Sequence, residues 1–287
     1  MTLAERQHWE GATHEHAVER FYSHGVERYG DFHGGYLNFG LWEEGIPGYV
    51  AAAENLVRTL AHSLGLRPGD ELLDVACGMG PQDIFLFREF GPLEIEGVDV
   101  TWEHVQYGNR RAAQQGCQEQ VRFRHGSAVE LPFPDASFDH VLCVEGGVHF
   151  DTRERFLREA WRVLRPGGAI ALADYIITRP PRKLWQRAAV GVTRSLWKIP
   201  RQNVLTREGF AQSLERCGFA GVSVRQVGAL TYPGYFFEQR RCLAEMRRIR
   251  GFFAGYLGHL VDIVAYQAFR RGLVQYVLVR GEKPGTA

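Results

Sequence analysis

The stretch VLCVEGGVHFDTRERF, Val141 to Phe156, carries an apolar strand into Glu145, two glycines and a single histidine, His149, before a charged helix begins. An ordinary imidazole pKa of about 6.5 leaves much of such a residue unprotonated at neutral pH, able to take a proton from a weak acid. Three aspartates stand at comparable places. Asp74 lies near the end of the apolar run in LLDVACGMGP, ahead of Gly78 and Gly80; Asp99 is the last residue but one of LEIEGVDV, and Asp174 the last but one of IALADY. Glycines let the backbone turn sharply and approach a ligand closely. The dinucleotide fingerprint G-x-G-x-x-G is matched poorly, because Ala76 stands before Gly78 and Asp83 stands where the third glycine belongs. An acid at the mouth of the turn repels a pyrophosphate and suits a ligand that carries an amine.

These residues need elements to hold them, and the periodicity supplies them. Short apolar runs at DELLDVAC, LEIEGVDV, VRFRHGS, FDHVLCVE and AIALADY read as buried strands. Helical patterns at QDIFLFREF, TWEHVQYGNRRAAQQG (closed by Gly116) and TRERFLREAWRVL (stopped by RPGG) separate them. Strands alternating with helices at this spacing predict a doubly wound α/β domain with a mostly parallel sheet over residues 65–180. Residues 175–207 read as irregular. A helix over TREGFAQSLERCGF opens at Thr206 and ends at Gly218, AGVSVRQVG is a strand, and GLVQYVLVRGEKP is a final strand returning to the sheet. Between the last two strands, Leu243, Met246, Ile249, Phe253, Tyr256 and Leu260 recur at helical spacing and read as core. The organisation is then an N-terminal helical and aromatic segment (1–64), a ligand-binding core (65–180), and cap insertions with the last two strands (181–287).

Bulk properties narrow the classes. The 287 residues are 45% hydrophobic with a formal net charge of +1, which argues against a nucleic-acid partner. Five cysteines without a CxxC pair argue against a disulfide framework or a metal site. MTLAERQHWEG is too polar for a signal peptide, and no apolar run reaches spanning length. The expectation is a soluble cytoplasmic protein without stable membrane association.

LDVACGMG resembles motif I, D/E-x-G-x-G-x-G, of class I S-adenosylmethionine-dependent methyltransferases, with Ala76 in place of the first glycine. GSAVELPFPDASFDHVLCVE and EAWRVLRPGGAIALADY resemble later segments of the same family in the same order. The resemblance implies the seven-stranded Rossmann-like methyltransferase fold and S-adenosyl-L-methionine as cofactor. It implies that Asp74, Ala76, Gly78 and Gly80 form the cofactor turn, and that Asp99, with Val100, meets the ribose hydroxyls. Ser127, with Ala128, stands where the family carries an Asp on the adenine amine, and Glu145 joins the cofactor set. VEGGVHFD and ALADY resemble bacterial sugar and natural-product O-methyltransferases, and more loosely the tocopherol methyltransferases. That likeness implicates His149 as general base and Asp174 as its partner. YSHGVERYGDFHGGYLNFGLWEEG is similar to the segment that closes over the cofactor, which implies that Tyr22 or Tyr29 reaches the methionine carboxylate.

A hydroxyl is a poor nucleophile until it loses its proton, so O-methylation calls for a base such as His149. Trp185, Trp197, Tyr232 and Tyr235 are expected to line a cap suited to a bulky secondary metabolite or glycoside. Gly146 and Gly147 predict a roomier pocket beside His149, and the arginines of QRRCLAEMRRIR read as a solvated face. Two other readings stay open: C-methylation of an aromatic or lipid-like acceptor, and a non-catalytic nucleoside-binding scaffold. A homodimer is the oligomer considered.

Overall fold

A computed structural model describes residues 13–23, 26–27, 33–250 and 252–285. The chain runs α1 (Thr13–Tyr22), α2 (Tyr49–Leu64), β1 (Glu71–Val75), α3 (Pro81–Phe90), β2 (Glu94–Asp99), α4 (Trp102–Gln114), β3 (Val121–His125) and β4 (Phe138–Val144). It continues through α5 (Arg153–Val163), β5 (Leu164–Ile177), α6 (Leu184–Leu196), α7 (Arg207–Arg216), β6 (Ala220–Gln226), α8 (Tyr232–Arg241), α9 (Leu243–Arg250), α10 (Phe252–Arg270) and β7 (Val274–Glu282). One sheet takes the order β3-β2-β1-β4-β5-β7-β6, with β7 antiparallel to both its neighbours. This is the expected seven-stranded, mostly parallel sheet.

The strands read as apolar runs because both faces are covered. Leu72 and Ala171 pack with Leu56 and Leu60 of α2, whereas Leu73 and Ile170 pack with Phe156 of α5 and Phe210 of α7. Alternate residues of one strand thus serve opposite layers. Thr152 and Thr206 open α5 and α7 by accepting from the backbone N–H of Arg155 and Gly209.

Strand order reverses between β1 and β4, and ligands of open α/β sheets bind at the carboxyl ends beside that switch point. The glycine turn follows β1 and His149 follows β4, so the topology brings the two motifs together.

α5 does stop just before RPGG, which forms the extended start of β5, bonded to Lys283. Two expectations are revised. The stretch read as irregular contains α6, bounded by Pro180, Pro181 and Pro200 and not broken by them. Its Leu184 and Val192 are exposed, whereas Val190 and Thr193 line a cavity at the carboxyl ends of the strands. The cap helices run past Leu260 as far as Arg270. Among the described residues, no helix is long and apolar enough to cross a membrane.

Candidate active site

A cavity of about 410 Å³ opens across the carboxyl ends of β4, β1 and β2, roofed by α1 and by the cap helices. Ala76, Gly78, Asp99, Val100, Ala128, Glu145, His149 and Tyr22 all line it.

His149 ends a short 3-10 turn, Gly147–His149, directly after β4. Its Nε2 lies 3.1 Å from the Tyr22 hydroxyl, and His14 Nε2 lies 2.8 Å from its carbonyl oxygen. Tyr22 therefore sits on the histidine, where a contact with the cofactor's carboxylate was expected. Burial lowers the imidazole pKa to about 4, opposed by hydrogen bonding to the Trp197 backbone. The ring is neutral at physiological pH.

Asp174 does not orient this ring. It is buried behind Gly147, where Oδ2 accepts from Arg153 Nη2 at 2.8 Å and Oδ1 accepts from the Tyr175 amide. His149 Nδ1 has no hydrogen-bond partner of good geometry among the described residues. Arg153 is 1% exposed and stacks on Phe210; its Nη1 donates to the Asn203 carbonyl, and its amide donates to Asn203 Oδ1. Asn203 Nδ2 then donates to the carbonyls of Val148 and Phe150, at 3.0 and 2.7 Å. The acid thus acts on the loop that carries His149, two residues removed from it.

The glycines beside the histidine do not make room. A Cβ on Gly146 would lie 2.4 Å from Ala76 Cβ, and one on Gly147 would lie 2.5 Å from Asp174 Oδ2. Both are glycine because β4's loop is pressed against its neighbours. Ala76 itself takes φ 62°, a left-handed conformation that costs about 1–2 kcal/mol outside glycine.

Asp99 stands at the end of β2 and lines the cavity. Its Oδ2 accepts from the Gly78 amide at 2.9 Å and its Oδ1 from the Thr101 amide at 2.7 Å, tying the glycine turn to β2. Oδ1 also faces His104 Nδ1 at 3.4 Å. Hydrogen bonding and the nearby His104 hold its pKa below the usual range despite burial.

Four other positions differ from expectation. Asp74 lies beneath the turn, away from the cavity; its Oδ2 accepts from Gln82 Nε2, and Gln82 is the residue that lines the wall. Gly80 is also off the cavity and lets the Phe123 ring approach, since a Cβ there would lie 2.2 Å from it. Ser127 faces away too, donating to Glu15 of α1 and accepting from the Val129 amide at 3.1 Å. The Glu145 carboxylate reaches the cavity with both oxygens engaged by the Tyr175 and Tyr276 hydroxyls and the Phe39 amide. Burial raises its pKa to about 7. Tyr29 lies outside the described residues.

Trp197, Tyr232 and Tyr235 line the cavity, as expected. Leu243 and Met246, read as core, line it as well, and Leu260 is exposed. Arg241 and Arg248 face outward, paired with Glu238 and Glu245 one turn away. Glu15, His14, Arg153 and Asn203 went unread in the sequence, because each works through a partner distant along the chain; Gln82, whose partners Asp74 and Cys77 are close in sequence, went unread as well.

The family described as "methyltransferase domain" matches residues 72–168. The chain is 36% identical over 201 residues to erythromycin 3''-O-methyltransferase of Saccharopolyspora erythraea, covering 68% of this chain and 65% of that relative. It is 36% identical over 148 residues to 27-O-demethylrifamycin SV methyltransferase of Amycolatopsis mediterranei, covering 52% of this chain and 54% of that one. The matches thus span less than two thirds of either relative's length. In fold, the chain resembles the cyclase SpnF with a TM-score of 0.77 at 22% identity, over 94% of this chain and 96% of that one. It also resembles geranyl diphosphate C-methyltransferase of Streptomyces coelicolor, solved with S-adenosyl-L-homocysteine, with a TM-score of 0.76 at 18% identity, over 95% and 99%.

Proposed function

The chain belongs to the class I S-adenosylmethionine-dependent methyltransferases, and from that premise we propose that it methylates a hydroxyl group of a bulky small-molecule natural product, with His149 as general base. The observation that carries this reading is a neutral imidazole at the end of β4, in the same cavity as Asp99 and the glycine turn. Asp99, Gly78 and Val100 are the residues to hold the nucleoside. S-adenosylmethionine, when bound, supplies a methyl group on a sulfonium whose departure as a neutral thioether needs no acid.

The protein's task is therefore the acceptor. Leu243, Met246 and Val264 give the cavity an apolar wall for a large, greasy ligand, and Tyr232 and Tyr235 add hydroxyls that can orient it. His149 Nε2 takes the acceptor's hydroxyl proton at the place where Tyr22 now sits, so Tyr22 yields to the acceptor or passes the proton on. The buried setting excludes water that would compete for the methyl.

The test is product mass and fragmentation over a panel of hydroxylated metabolites, with His149→Ala compared on the best one. Removal of a general base costs about 10²–10⁴ in rate. A loss under about tenfold, roughly 1.4 kcal/mol, counts against His149.

C-methylation is the second reading. It is favoured by the weak basicity of His149 and by the rings of Phe39, Tyr175, Tyr232 and Tyr235, which face the same cavity and suit an electron-deficient intermediate. Its signature is a product with every hydroxyl intact and a His149→Ala variant that keeps most of its rate.

A further inference from the structure

The order of the strand ends lays out the cavity. His149 follows β4, the glycine turn follows β1, Asp99 ends β2, and the loop Gly126–Ala128 follows β3 at the sheet's edge. A nucleoside whose ribose meets Asp99 and whose reactive end points toward His149 must place its base at the β3 end. The wall there consists of Gly126 and Ala128 from the loop, together with Glu15 of α1. Ser127 is not part of it, and its single hydroxyl hydrogen is committed to Glu15.

Resting on the methyltransferase reading above, we propose that Glu15 recognises the exocyclic amine of the cofactor's adenine, and that α1 is thereby a specificity element of the nucleoside site. Glu15 is 8% exposed, and its carboxylate reaches the cavity while fastened at one oxygen by Ser127. A carboxylate is an acceptor only, with about four lone-pair sites, and Ser127 uses one. An amine offers two N–H donors to such a group. A base with a carbonyl at the same position offers an acceptor and is repelled. Burying a carboxylate is costly unless donors meet it, so the ligand's amine fills a need that the protein leaves partly open.

The assignment couples two functions through one helix. α1 carries Glu15 at the adenine end, while its His14 and Tyr22 contact His149. A nucleoside that engages Glu15 also favours the α1 position that seats the loop of the base.

Calorimetry on the full chain decides it, using S-adenosylhomocysteine and its inosine counterpart as ligands. The unaltered protein is expected to prefer the adenine ligand by at least about tenfold. Glu15→Ala should weaken that ligand by about tenfold to a hundredfold, the range for a hydrogen bond to a charged group, and leave the inosine ligand nearly unchanged. Retained inosine binding shows that the variant is folded. Glu15→Gln, which keeps the shape and loses the charge, should lose a smaller part of the preference. Restoring a carboxylate from the loop, as Ser127→Asp in the Glu15→Ala background, should recover preference. Equal weakening of both ligands, or an undiminished preference in Glu15→Ala, overturns the assignment and leaves the methyltransferase reading standing. Failure of the unaltered protein to bind either ligand overturns both.

Discussion

At the scale of single residues, the chemistry turns on how basic His149 is. Burial lowers its pKa from 6.5 to about 4, so the ring carries no proton at neutral pH and for some way below it. The activity that depends on neutral imidazole is thus present above about pH 5 and is lost as pH falls through about 4. The acid limb of kcat/KM is expected there, since that limb reports the essential base of the uncomplexed enzyme. A limb at about 6.5 would mean that the reacting ring is solvated, with Tyr22 withdrawn from it. The glycines beside this histidine teach a related lesson. Their lack of a side chain suggested space, yet that space is taken by Ala76 Cβ and Asp174 Oδ2. A glycine says only that a Cβ does not fit or is not needed; which of the two holds depends on neighbours that other strands deliver.

At the scale of elements, the loop after β4 is held from behind by Asp174 of β5, Arg153 of α5 and Asn203 of the short turn before α7. Asn203→Ala removes the donor to the Val148 and Phe150 carbonyls and the acceptor for the Arg153 amide, leaving buried groups unpaired at about 1–3 kcal/mol each. The expected result is a kcat reduced by about tenfold or more with cofactor affinity unchanged, because the misplaced group is the base and not the nucleoside site. Equal loss in kcat and cofactor affinity, measured by single-turnover kinetics and calorimetry, would show general unfolding instead. Strands and their carboxyl-end residues were legible because strands covered on both faces read as unbroken apolar runs, and His149, Asp99 and Gly78 follow such runs directly. Asp174 was legible as a strand-end acid, but its partner was not. Arg153 and Asn203 lie 50 residues apart in the chain, and Glu15 lies 112 residues from Ser127. No periodicity links residues so far apart. α6 went unread beside the prolines that bound it, although Val190 on it lines the cavity.

At the scale of the whole molecule, the same buried acids that shape the site set how stability follows pH. Asp74 and Asp83 are fully buried beneath the glycine turn, where two charges cannot be held together. Burial raises the pKa of Asp74 to about 7, and burial with the neighbouring Asp74 charge raises that of Asp83 well above its usual range. Glu145 follows the same direction, also to about 7. An acid whose folded pKa is raised contributes stability that is complete below its ordinary pKa of about 4 and is lost as pH rises through the folded value. His33 and His149, both lowered to about 4, act in the other sense and lose their contribution as pH falls through that value. Asp74 and Glu145 are therefore expected to lower stability as pH rises from about 4 to about 7, Asp83 acts in the same direction, and the two histidines offset part of this loss up to about pH 6.5. Asp83→Asn tests the acid pair directly. Its amide can donate to Asp74 without sharing a titrating proton, so one of the two ionisation costs is removed while burial still opposes ionisation of Asp74. Thermal unfolding across that range should show the variant losing less stability than the parent, by about 1–3 kcal/mol or several degrees in Tm. At about pH 3, where these acids are protonated in the folded and unfolded chains alike, the variant should gain nothing. Parallel curves for the two proteins would remove the Asp74–Asp83 pair as the source of the loss with rising pH and leave Glu145, with its two tyrosine donors, as the group to examine.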